Sequence, residues 1–89
     1  WRVEVWLGAT LDVARALTSM PAASFTAAEG GVILRSQVAD LPRAARDLAG
    51  LGIRVIVRQP AELRDELRHL ALALARDAGW AGEPRASGD

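Results

Sequence analysis

Residues 1 to 7, WRVEVWL, alternate without a slip between Trp1, Val3, Val5 and Leu7 on one side and Arg2, Glu4 and Trp6 on the other. A strand covered on one face fits that pattern, because successive side chains of a strand leave it in opposite directions. A helix would scatter the same valines around its circumference. The chain must therefore build a sheet with one apolar and one polar face, and it must supply something to lie on the apolar side.

The rest of the chain reads as that supply. Gly8 stops the strand, and Thr10 offers an N-cap to the helical stretch LDVARALTS, with Asp12 well placed in its first turn. Pro21 closes that segment. SFTAAEGGVILRSQV, residues 24 to 38, reads as a hairpin turning at Gly30-Gly31, where a positive φ carries no steric cost. Asp40 is the next N-cap, with Pro42 in the first turn. The helix LPRAARDLAGL directs Leu41, Ala45 and Leu48 inward and closes at Gly52. IRVIVR is a fourth strand. Pro60 then opens a last helix over roughly residues 60 to 77, with Leu63, Leu67, Leu70 and Leu74 as an apolar stripe. The Gly- and Pro-rich WAGEPRASGD is expected to fray. Residues 1–78 thus read as a single domain and 79–89 as a flexible tail.

The order β-α-β-β-α-β-α belongs to the α+β class. Its first six elements match the split βαβ, or ferredoxin-like, sandwich: βαββαβ with a four-stranded antiparallel sheet, here followed by an additional C-terminal helix. Right-handed crossovers put the first two helices on one face of the sheet, in strand order 4-1-3-2, with the first and third strands central.

The opposite face collects Arg2, Glu4, Trp6, Ile33, Arg35, Gln37, Arg54, Ile56 and Arg58. Exposed arginines add little stability, so four of them beside a tryptophan and two isoleucines ask for another explanation. Arg and Trp are enriched where proteins meet, and guanidinium forks bind phosphate or carboxylate in bidentate fashion. Arg2, Trp6, Arg35, Arg54 and Arg58 are therefore the candidate ligand- or partner-binding residues. Glu4 is expected to neutralise one of the four cations. A merely solvated face is the plain alternative. Recognition of RNA by stacking on such a sheet needs two or three aromatics on the central strands, and Trp6 alone falls short.

Composition narrows the chemistry further. The 89 residues include no Cys, so disulfides and thiolate zinc sites are excluded. His69 is the sole histidine, which rules out a histidine metal cluster within one chain. Eleven basic and eleven acidic residues balance to zero, removing any global pull towards nucleic acid or anionic membrane while leaving room for a local basic patch. No apolar run approaches the ~20 residues of a membrane span. The start is unlike a signal peptide; opening on Trp1 rather than Met, the chain reads as a piece of a longer, cytoplasmic protein. Ser19, Ser24 and Ser36 have no histidine–acid partners in a recognisable arrangement. An acylphosphatase-type enzyme on this topology sets an Asn beside its catalytic Arg, and there is no Asn here. His69, four residues after Asp65, reads as half of a surface helix pair. Gly8, just ahead of a helix, could approach an anion, and a simple strand-to-helix turn accounts for it equally well. No catalytic residue, metal ligand or cofactor is assigned, and the chain is expected not to be an enzyme.

EGGVILRSQVAD, a helix, LAGLGIRVIVRQPAELRDEL and a leucine-rich terminal helix together resemble the C-terminal extension (WCX) domain of WYL-domain-containing helix-turn-helix transcriptional regulators. The carrying features are Gly30 and Gly31, Val38 and Asp40, Leu48 with Leu51 and Gly52, Val55 and Val57, and PAELR from Pro60 to Arg64. The resemblance as a whole covers essentially residues 1 to 76. The chain departs from the family after Asp40, where a bulky apolar or aromatic residue is usual and this sequence has Arg and Ala.

The resemblance implies a regulatory module whose chain also holds a WYL domain and an N-terminal helix-turn-helix that binds DNA. It implies effector sensing, dimerisation or both, and a homodimeric, cytoplasmic regulator without a membrane segment. An anionic small molecule or a nucleic acid is the candidate effector. The family's known ligand-binding residues lie in the WYL domain, so none carries over to this chain. The rival expectation is a stand-alone small-molecule-binding domain of the ACT or RAM type, which shares the topology.

Overall fold

Val3, Val5 and Leu7 are completely buried, and the strand that carries them lies in the middle of the sheet. The computed structural model describes residues 1–20 and 22–78; the proposed tail, residues 79–89, falls outside them. In chain order the elements are β1 (Arg2–Leu7), α1 (Leu11–Leu17), β2 (Ser24–Ala28), β3 (Gly31–Gln37), α2 (Leu41–Ala49), β4 (Val55–Gln59) and α3 (Ala61–Asp77). The four strands form one sheet in the order β2-β3-β1-β4, and every neighbouring pair is antiparallel. The central places thus go to β1 and β3, the two strands with the longest alternation.

Register carries the two-sided pattern across the sheet. Val3, Val5 and Leu7 stand opposite Ser36, Leu34 and Val32, and Val5 stands opposite Val57. All seven are buried. The helices meet this face through Ala14 of α1, Leu41, Ala44, Ala45 and Leu48 of α2, and Leu63 of α3. Fully burying a residue such as Leu48 or Leu63 is worth roughly 1.5–3 kcal/mol each, so the helix-covered face is where stability is concentrated.

Local chemistry sets the helix starts. The Thr10 hydroxyl accepts from the Val13 N–H at 3.3 Å and the Asp40 carboxylate accepts from the Arg43 N–H at 3.1 Å, as the N-cap reading requires. The ends differ from the sequence reading. Helix α2 stops at Ala49 with Gly50 as its cap, three residues before the segment reaches Gly52. Gly52 is still needed, because it holds φ at +74° in the turn that leads to β4. In α3 the leucine stripe is interior only at its start: Leu63 is fully buried, Leu67 packs partly on the core, and Leu74 is 56% exposed. Asp65 pairs with Arg68 at 2.9 Å, not with His69, which is exposed.

The hairpin turn also moves by one residue. Ala28 and Gly31 are register partners, so the two linking residues are Glu29 and Gly30 and not the glycine pair. Gly30 supplies the positive φ, +73°. Gly31 is there for space: a Cβ would run into the Leu7 carbonyl oxygen and come within 3.0 Å of the Trp6 ring.

Candidate functional site

The face of the sheet turned away from the helices carries the candidate residues, and the structure sorts them into two groups. Arg2, Arg35 and Arg58 surround Glu4 at one end. Arg54 and Trp6 lie towards the other end.

Glu4 is the centre of the first group. It sits on β1, opposite Arg35 of β3 and next to the point where the β1–β4 pairing slips at Arg58. That bulge leaves Arg58 without a register partner of its own and lets its side chain lean over β1. Glu4 Oε1 accepts from Arg35 Nε at 3.2 Å, and Glu4 Oε2 lies 3.4 Å from Arg58 Nε. Glu4 therefore holds two cations, one on each oxygen. By charge it still balances only one. Arg35 also reaches Thr26, with Nη1 to Oγ1 at 3.4 Å. Arg2 stands opposite Gln37 at the start of β1, and among the described residues neither Arg2 nor Arg54 lies within 4.0 Å of a carboxylate oxygen. Arg2, Glu4, Ser24, Arg35, Gln37 and Gln59 line an open depression of about 650 Å³.

The second group is more closed than the alternation suggests. Trp6 is half-buried. Its indole N–H donates to the Glu29 carbonyl at 3.2 Å, and its ring lies against Gly8, Gly30 and Gly31. The side chain thus buttresses the hairpin. Ile33, between Trp6 on β1 and Thr26 on β2, is only 5% exposed, so it adds no open apolar surface. Ile56 does, at 45%. Arg54 falls just before β4, where its carbonyl accepts from the Gly8 N–H at 2.9 Å. Arg54 and Arg58 are thereby some four strand positions apart, about 13 Å, with Ile56 between them.

A residue that the sequence reading took up only within the PAELR resemblance, and not as part of this face, completes the edge. Arg64, in the first turns of α3, turns back onto β4 and donates through Nη1 to the carbonyls of Val57 at 3.4 Å and Arg58 at 3.1 Å. An arginine four residues after a strand-ending Pro60 is the only signal that could have revealed it.

Chemically, the described residues of the face offer guanidinium donors, two of them held by Glu4, and amide side chains around that carboxylate. Among the described residues no group of His, Asp or Glu is arranged to hold a metal ion, and no helix is long and apolar enough to cross a membrane. Compared with known proteins, residues 1–75 match the WCX domain family. No curated protein and no solved structure matches the chain.

Proposed function

We propose, because the chain belongs to the WCX domain family, that it is the regulatory C-terminal domain of a bacterial WYL-type transcriptional regulator. Its role is non-catalytic: it senses an effector, holds two regulator chains together as a homodimer, or both. DNA is bound by a helix-turn-helix elsewhere in the same cytoplasmic chain. The βαββαβ core is read as ferredoxin-like, since the order β2-β3-β1-β4 leaves one face for the helices and one face free.

The observation that supports the reading is the charge of that free face. Of its four arginines, Arg35 and Arg58 share the carboxylate of Glu4 and, among the described residues, Arg2 and Arg54 pair with none, on a chain whose total charge is zero. Neutral proteins gain no folding stability from gathering arginines in this way, whereas an acidic or phosphate-bearing partner would be bound by them. The candidate partners are the WYL domain of the same chain, a second subunit and an anionic effector.

The test is the coding sequence upstream of Trp1. A helix-turn-helix followed by a WYL segment is expected there. A start codon directly before Trp1 would overturn the reading and favour a stand-alone binding domain of the ACT or RAM type.

A further inference from the structure

The two edges of the sheet are treated in opposite ways. An edge strand presents unpaired backbone groups that recruit other strands, and proteins usually blunt it with charge, proline, a bulge or a cap. The β4 edge has all four: Arg58, the slip in register beside it, Pro60, and the Arg64 guanidinium on the Val57 and Arg58 carbonyls. The β2 edge, SFTAA, has none of them. Its five residues carry no charge and no proline, and Thr26 and Ala27 are exposed.

Which backbone groups face outward follows from the ladder. Val38 and Trp1 exchange both backbone bonds, N–H to carbonyl at 2.8 and 2.7 Å. Bonded pairs alternate along an antiparallel ladder, so the even-numbered residues of β3 bond to β1 and the odd-numbered ones to β2. Ile33 therefore bonds with Thr26, Gly31 with Ala28 and Arg35 with Ser24. The N–H and C=O groups of Phe25 and Ala27 are left pointing away from the sheet.

We infer that the β2 edge is the seam of a homodimer, pairing antiparallel with β2 of a second copy about a two-fold axis at Thr26. This register sets Ser24 against Ala28, Phe25 against Ala27 and Thr26 against its own counterpart. It pairs all the outward groups at once, in four N–H to C=O bonds. Phe25, half-buried at the core margin, meets the small Ala27 of the other copy. A second copy fits better than an unrelated strand, because a two-fold seam brings each residue close to itself. A single charge near its centre would repel its twin; β2 itself carries none, and the nearest cation, Arg35 of β3 with its Nη1 3.4 Å from Thr26 Oγ1, is held by Glu4. The result is an eight-stranded sheet with the arginine faces of both copies on one side.

The inference rests on the proposed self-association and names where it occurs. Sedimentation equilibrium of the 89-residue chain, with circular dichroism to check folding, tests it with Thr26→Lys, Thr26→Glu and their equimolar mixture. The wild type is expected to dimerise, each variant to lose affinity on the order of tenfold or more through like charge at the axis, and the mixture to regain it. Amide exchange supplies the readout should a variant misfold: the Phe25 and Ala27 amides of the wild type are expected to slow as the dimer forms. A dimer indifferent to both variants, with those two amides still exchanging fast, overturns the seam and leaves self-association standing. A wild type that stays monomeric at every concentration overturns both.

Discussion

Arg35 of β3 and Arg58 of β4, on strands that never touch, are tied to one another through a single carboxylate on the strand between them. Glu4 holds the first on Oε1 at 3.2 Å and the second on Oε2 at 3.4 Å. The arrangement fixes the spacing of two guanidinium groups without cancelling both charges. Each arginine side chain stays about half exposed, at 49% and 56%, so its remaining donors face outward. For the anionic partner proposed above, such a surface would be pre-ordered.

Replacing Glu4 by Gln separates holding from binding. Exposed ion pairs are screened by solvent and contribute little, so unfolding in urea should shift by less than about 1 kcal/mol. The face loses its only carboxylate, and retention on a phosphate-bearing matrix should persist to higher salt than for the wild type. Unchanged retention would mean that the face is not what meets the anion.

The terminal helix should respond unevenly along its length. Leu63 is fully buried and Leu74 is 56% exposed. Leu63→Ala is expected to cost about 2–5 kcal/mol and Leu74→Ala under about 0.5 kcal/mol, both read from denaturant unfolding. A large loss at Leu74 in the isolated chain would show that the end of α3 is covered.

Much of this architecture is legible from local pattern alone. Alternation in WRVEVWL marks the buried Val3, Val5 and Leu7, and the side chains of Thr10 and Asp40 announce the helix starts. What pattern misses is contact between distant residues. Ile33 alternates onto the free face, yet lies buried between neighbours that only the register of β1 and β2 reveals. Trp6 alternates outward as well, but the hairpin glycines give its ring a place to lie and Glu29 gives its N–H an acceptor. The double hold of Glu4 depends on a bulge at Arg58 that has no signal in IRVIVR.

The two hairpin glycines should fail differently. Gly30→Ala puts a side chain on a residue at φ +73°, a cost of about 1–2 kcal/mol. Gly31→Ala must displace the Leu7 carbonyl or the Trp6 ring; a loss of at least ~2 kcal/mol and an altered near-ultraviolet tryptophan signal are expected. Equal, small losses at both positions would contradict the close approach of Trp6 to β3.

At the start of α2, Asp40→Ala removes the acceptor of the Arg43 N–H. Thermal unfolding should report a loss of about 1 kcal/mol, and Asp40→Asn should recover most of it. No difference between the two substitutions would mean that the cap adds nothing to α2.

Arg54, just before β4, and Arg58, near its end, test from both sides whether the arginine face meets the proposed anionic partner. Neither guanidinium is buried, so changing both to Ala should leave the fold nearly intact. In the proposed full-length regulator, the measurement is effector-dependent DNA binding alongside assembly state, for the double variant and the wild type. The variant is expected to fold and bind DNA but to respond to effector, or to assemble, more weakly. A double variant that senses and assembles like the wild type would contradict that expectation and leave the face merely solvated.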